Sequence, residues 1–299
     1  MNQKVSFLKN YEKFASEQWS SAIERNNESV DSLNKTGTQI WDKIALSYDE
    51  TMEKDRRRID KTIKLLKAKD ILNKETVVLD IGCGTGIYAL ELAKYCKKII
   101  GLDCSESMLR ILAEKTQKAG LENIASLHKD WSEVDSESPD YHKQFDLVIS
   151  NLNTGICNVE GLIKMNQTSR DICCYSSLSG LSKNTRKAEL HEIIFERALP
   201  ESGRNEILHA FNLVYSMGYR PEMSYSPFEW VKIQDPEEAL EAICHEYGCY
   251  TELSRIKVAK IKAYIFGNRD RDGKYSEKMT SMIGIMIWSV GKERIKHDC

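Results

Sequence analysis

Val77, Val78, Leu79, Asp80 and Ile81 lead into Gly82, Cys83, Gly84, Thr85 and Gly86, an apolar run that stops at a loop with glycine at every second position. Val77 to Leu79 are the β-branched and aliphatic types of a strand buried on both faces. Glycine at 82, 84 and 86 lets the backbone turn sharply and approach a ligand with no Cβ in the way. From Ile87 the period changes, with Ala89, Leu90, Ala93 and Cys96 at helical spacing, so the expected order is strand Val77–Ile81, loop, helix Ile87–Cys96. A strand and a helix joined so tightly belong in a parallel sheet, where ligands bind at the carboxyl ends of the strands.

A dinucleotide fingerprint needs its third glycine one place later, where this chain has Ile87. The next strand fits another pattern. Ile99, Ile100, Gly101, Leu102 and Asp103 form a second strand ending in an acid, and a carboxylate about 20 residues past such a loop can accept both hydroxyls of a ribose. The plainer alternative for Asp103 is a carboxylate capping the helix that begins near Ser105. The loop, the acid before it and Asp103 together resemble the class I S-adenosylmethionine-dependent methyltransferases, and the resemblance runs from about Trp41 onward.

That resemblance implies an α/β fold: a Rossmann-like, doubly wound, seven-stranded and mostly parallel sheet with its last strand antiparallel, plus an N-terminal helical extension. The extension is residues 1–40, the methyltransferase domain 41–299, and a variable substrate-specificity part lies at about 178–275. The implied cofactor is S-adenosyl-L-methionine, with Tyr48, Asp80, Gly82, Gly84, Gly86, Asp103, Cys104, Met108, Asp130, Trp131 and Asn151 as its binding set. Met108 is the apolar residue on the adenine or simply core; Asp130 accepts from the adenine amino group, with the Trp131 ring over the base or in the core. The implied substrate pocket uses Tyr48, Asn153, Thr154, Tyr175 and Trp230, roofed by Phe228 to Trp230; Tyr48 and Tyr175 read about as well as buried structural tyrosines. Enzymes of the family that methylate amino groups of bases or glutamine carry Asn/Asp-Pro-Pro-aromatic after the fourth strand. Here that loop is Asn151, Leu152, Asn153, Thr154 and Gly155, without the prolines, which argues against base-amine methylation.

A net charge of −2 on 299 residues gives no general attraction to nucleic acid, which is not expected as a partner. No apolar run approaches the length of a bilayer span, and Met1 to Asn10 are too polar for a signal peptide, so no membrane partner and a cytoplasmic location are expected. Nine cysteines, an odd number with no Cys-x-x-Cys pair, read as free thiols and not as a metal cluster. Arg56, Arg57 and Arg58 stand in a basic run from Lys54 to Lys69, but interspersed acids and the spacing of Ile59, Ile63 and Leu66 favour a solvated helix face over a polyanion patch.

Elsewhere the chain alternates strand and helix: Lys98–Asp103, Ser105–Ala119, Ile124–His128, Phe145–Ser150, Asn158–Met165 and Asp171–Ser177. Further helices are expected at Arg186–Ala198 and at Asn205–Met217, the latter capped by Gly218, with another start at Asp235, Pro236 and Glu237. Glu222–Ile233 has strand character interrupted by Pro227, and Met282–Val290 is apolar enough to lie inside the sheet. An amphipathic helix over Val5 to Ile23 needs a partner surface, either the main domain or a second subunit, which makes a homodimer one expectation. No histidine stands out as a general base. The leading function is methyl transfer to a small molecule; the rivals are a macromolecular acceptor such as tRNA or protein, and a cofactor-binding protein without catalysis.

Overall fold

The computed structural model describes residues 13, 14, 16, 17, 38–153, 155, 156, 158–199, 203, 204, 206–248 and 251–291. The helix expected over Val5 to Ile23 falls almost wholly outside them, as do Thr154 and Cys157. The chain divides into two compact units: the first takes in the described residues up to Ser179, those of 205–226 and those from Ile283 on, and the second 180–204 and 227–282. The described residues of 205–226, expected in the variable part, therefore belong with the first unit.

In the first unit, helices α1 (Thr38–Met52) and α2 (Arg57–Ala68) precede β1 (Val77–Ile81), α3 (Ile87–Leu92), β2 (Lys98–Asp103), α4 (Glu106–Lys118), β3 (Ile124–His128), β4 (Phe145–Asn151) and α5 (Val159–Thr168). Next come β5 (Ser169–Lys183), α6 (Thr185–Phe195), β6 (Gly203–Arg204), α7 (Glu206–Ser216), β7 (Glu222–Gln234), α8 (Pro236–Gly248), α9 (Arg255–Gly267) and β8 (Tyr275–Ser289). Seven strands run in the order β3-β2-β1-β4-β5-β8-β7, with the short β6 paired to β5 off that path. The pairs β1/β2, β1/β4, β2/β3 and β4/β5 are parallel. β5 and β7 start in the first unit and end in the second whereas β8 runs back, so the last strand is antiparallel to its neighbours. This is the Rossmann-like architecture expected.

The order places β1 inside the sheet, between β2 and β4. Val78, Leu79 and Ile81 are fully buried there, and the same core takes Leu102, Val148, Tyr175, Leu213 and Trp288. β8 lies between β5 and β7, as its apolar run Ile283 to Trp288 requires. Pro227 does not interrupt β7, because β7 is an edge strand and one missing N–H on an edge need not break a ladder. α3 is shorter than its period suggested: past Leu92 the chain tightens, and the Leu92 carbonyl accepts from both Tyr95 N–H (2.9 Å) and Cys96 N–H (3.2 Å). β5 is longer than expected at both ends. The second unit has its own core, in which Leu190 and Ile194 of α6, Ala239, Ile243 and Tyr247 of α8, and Ile261 and Ile265 of α9 meet Tyr275.

Candidate active site

At the carboxyl end of β1 the backbone goes through left-handed turns at Gly82, Gly84 and Gly86, with φ of 67°, 54° and 84°. Gly82 and Cys83 donate to the Leu102 carbonyl at 2.7 and 3.1 Å, which moors the loop to β2. Gly86 has no room for a side chain, since a Cβ there would sit 2.2 Å from Leu112 Cδ1. Gly84 has nothing within 4 Å of that position and faces open space. Asp103, at the end of β2, accepts from Gly84 N–H (2.8 Å) and from Ser105 N–H (2.9 Å), so its carboxylate ties the glycine loop to the start of α4. Ser105 is the N-cap of α4 and accepts from Met108 N–H.

A cleft of about 400 Å³, counting its open part, is lined by Tyr48, Arg58, Asp80, Gly82, Cys83, Gly84, Thr85, Ile87, Tyr88, Asn151 and Leu152. Five of these were expected from the sequence: Tyr48, Asp80, Gly82, Gly84 and Asn151. Asp80 is 2% exposed, and its Oδ2 has no hydrogen-bond partner among the described residues. Burial, with the nearby charge of Asp103, pushes its pKa up from 3.8 to about 7. Thr85 Oγ1 and Asn151 Nδ2 are likewise buried without partners there, although the Asn151 Oδ1 end is held by the Ser176 hydroxyl at 2.7 Å. Unmatched polar atoms in a buried cleft are costly, and their usual explanation is a ligand or a bound ion or water.

The cleft wall opposite the sheet comes from α1 and α2. α1 is stapled to α4: Asp42 Oδ1 accepts from Ser105 Oγ (2.6 Å) and Ser107 N–H (3.0 Å), and Lys115 pairs with Asp49 (2.8 Å) and Glu53 (2.7 Å). These bonds hold Tyr48, whose ring meets Trp41 edge-on with centroids 6.0 Å apart. Burial raises the Tyr48 hydroxyl pKa while Arg58 pulls it down. The basic run was expected to be solvated, and here it is corrected at one position. Arg58 is 2% exposed on the inner stripe of α2 with Ile59, Thr62, Ile63 and Leu66, and its guanidinium donates to the carbonyls of Asp55 and Met52. Its neighbours are neutralised: Arg56 pairs with Glu53 and Glu91, and Arg57 with Asp55.

The remaining expected residues lie off the cleft lining. Met108 is buried on α4, and Cys104 is half-buried, its carbonyl 2.9 Å from His128 Nε2. Asp130 caps a turn of 3-10 helix by accepting from Ser132 N–H (2.8 Å) and Ser132 Oγ (2.7 Å). Trp131, open in the sequence to a place over the base or in the core, is in the core: it is 3% exposed and its indole N–H donates to the Gly161 carbonyl at 3.1 Å. Tyr175, open in the sequence to a place at the substrate or in the sheet, is also in the core, 2% exposed with its hydroxyl donating to the Ile156 carbonyl. Asn153 is turned into the protein, donating from Nδ2 to the Ile81 carbonyl at 3.1 Å. Trp230 is half-buried in the second unit. Of the residues missed, Thr85 lies inside the glycine motif itself, and Arg58 falls on the apolar stripe of its helix, so both carried a signal. Among the described residues no group of three or more His, Cys, Asp or Glu side chains is placed to hold a metal, and no helix is long and apolar enough to cross a membrane.

Comparison with known proteins agrees with this geometry. Residues 78–173 match the family described as methyltransferase domain. An uncharacterized protein of Haemophilus influenzae is 28% identical over 232 residues, covering 75% of this chain and 79% of that one. Demethylmenaquinone methyltransferase of Bacillus subtilis is 30% identical over 112 residues, which is 34% of this chain and 46% of that enzyme's length. Among solved structures, magnesium protoporphyrin IX methyltransferase from Synechocystis is 14% identical with a TM-score of 0.44, over 76% of this chain and 82% of that one. The matched residues are those that build β1, the glycine loop, β2 and β4, so the likeness to a methyltransferase domain falls on the stretch that carries most of the cleft.

Proposed function

We propose that this chain binds S-adenosylmethionine at the cleft and transfers its methyl group to a small-molecule acceptor. The observation that carries the reading is a group of buried polar atoms without partners among the described residues, including Asp80 Oδ2, Thr85 Oγ1 and Asn151 Nδ2, around one cleft that also holds Arg58. An acid, a hydroxyl, an amide and a guanidinium in one place suit an amino-acid group: the carboxylate of Asp80 faces its ammonium, and Arg58 and the neutral donors face its carboxylate. Asp103 then accepts from ribose hydroxyls, and Asp130 from the base amino group.

S-adenosylmethionine supplies a methyl group already activated by its sulfonium. The protein's tasks are therefore to hold the acceptor in line and to exclude water. In this reading Asp80 is taken up by the ligand's ammonium and no histidine stands among the described lining residues, so the site suits an acceptor that reaches it as a thiolate, phenolate or enolate. Arg58 is the only lysine or arginine among the described lining residues, whereas a nucleic-acid groove needs several. The likeness to demethylmenaquinone methyltransferase supports an acceptor on this small-molecule scale. Calorimetric titration with S-adenosylhomocysteine should show one site per chain, and Asp103→Ala should weaken it by about 1.5–3 kcal/mol, the scale of charge-assisted hydrogen bonds. Unchanged affinity in that variant would remove the ribose role. A screen of thiols, phenols and enols with methyl-labelled S-adenosylmethionine then identifies the acceptor, and label in RNA or protein fractions alone would overturn the small-molecule reading.

A further inference from the structure

We propose that Asn153 is a positioning residue that locks the loop after β4 to the glycine loop, so that one side chain outside the cleft sets two of its walls; this rests on the cofactor reading above. Both ends of the side chain have partners that can act in only one sense. Nδ2 donates to the Ile81 carbonyl (3.1 Å), with Ser150 Oγ at 3.3 Å, and Oδ1 accepts from Gly155 N–H at 2.8 Å. The amide is therefore oriented without ambiguity, bridging the end of β1 to the loop that follows β4.

The same amide fills the space beside Gly82. A Cβ at Gly82 would lie 2.3 Å from Asn153 Cγ and 2.5 Å from its Nδ2, so Gly82 and Asn153 work as one fitted pair. Between Asn153 and the end of β4 stands Leu152, in the left-handed region at φ 51°, a conformation that a branched L-residue holds only under constraint. Leu152 N–H donates to the Ser176 carbonyl at 2.9 Å on one side, and the Asn153 bonds hold the chain on the other. Gly82, Asn151 and Leu152 all line the cleft and Asn153 does not, so it acts on a ligand only through them.

The test is a double-mutant cycle of Gly82→Ala and Asn153→Ala, read as affinity for S-adenosylhomocysteine by calorimetry at a temperature where every variant is folded. Asn153→Ala alone should weaken binding about tenfold, and Gly82→Ala should cost at least fivefold less in the Asn153→Ala background than in the wild type, because the displaced amide is gone. Asn123→Ala is the control for a purely structural asparagine: it removes bonds to the Ala93 and Cys96 carbonyls (2.8 and 3.0 Å) and should lower the melting temperature while leaving affinity unchanged. Additive effects in the cycle, or equal loss of affinity in Asn123→Ala, would overturn the positioning role while leaving the cofactor reading intact. No binding by the wild-type protein would overturn that reading, and the positioning role with it.

Discussion

The two loops that wall the cleft bend the chain in the same left-handed sense by opposite means. The loop after β1 uses glycines at φ 67°, 54° and 84°, residues for which that region carries little steric penalty. The loop after β4 puts a leucine at φ 51° and holds it with Ser176 and Asn153. The first is relaxed and defined by the room it leaves; the second is strained and defined by what ties it down. Added bulk should therefore damage the first loop, and lost ties the second.

The largest effect is expected where a glycine has both a left-handed φ and a filled neighbourhood. Gly86→Ala must push Leu112 aside as well as adopt φ 84°, and should destabilise the protein by about 2–4 kcal/mol in denaturant unfolding. Gly84→Ala meets only the backbone penalty, about 1 kcal/mol. If Gly84→Ala proved the more damaging, the packing account of the glycine loop would fail.

Next in size is the buried acid beside that loop. The folded pKa of Asp80 lies near 7, above its ordinary 3.8, so the folded state holds this proton more tightly than the unfolded chain. Its contribution to stability is present below pH 3.8 and is lost as pH rises through about 7. Asp80→Asn should thus stabilise the unliganded protein at pH 8, by on the order of 1–3 kcal/mol, and show little benefit at pH 4. Thermal unfolding at the two pH values checks the sign; destabilisation at pH 8 would contradict it. The smallest effect belongs to the strained loop itself. Leu152→Gly should unfold at least as high as Leu152→Ala, by up to about 1 kcal/mol, because glycine relieves φ 51° and alanine does not.

Much of this was legible in the chain, and for a physical reason. β1, β2 and β3 fall where their apolar runs place them, and Pro236 and Gly218 mark a helix start and a left-handed turn because their backbone preferences are local. The orientation of single side chains at strand ends was not local. Trp131 and Tyr175 were open to a ligand or a core place, and each satisfies its polar atom on a backbone carbonyl in the core. Arg58 looked like one more solvated cation because charge counts ignore which stripe of a helix a residue occupies. The Asn153 bridge joins loops 72 residues apart in the chain, a pairing that no local pattern announces. The separate core of the second unit was equally hidden, since helical periodicity shows that a face is buried but not against what.

The central claim is that the cleft receives a cationic ligand group against Asp80, and titrating S-adenosylhomocysteine into wild-type protein and Asp80→Asn at pH 6 and pH 8 tests it most directly. A carboxyl with a pKa near 7 must lose its proton to meet an ammonium, so wild-type affinity should tighten about tenfold from pH 6 to pH 8. Asp80→Asn should bind more weakly at pH 8 and vary little between the two. Wild-type binding that is independent of pH, or a variant that keeps the full pH response, would contradict the account.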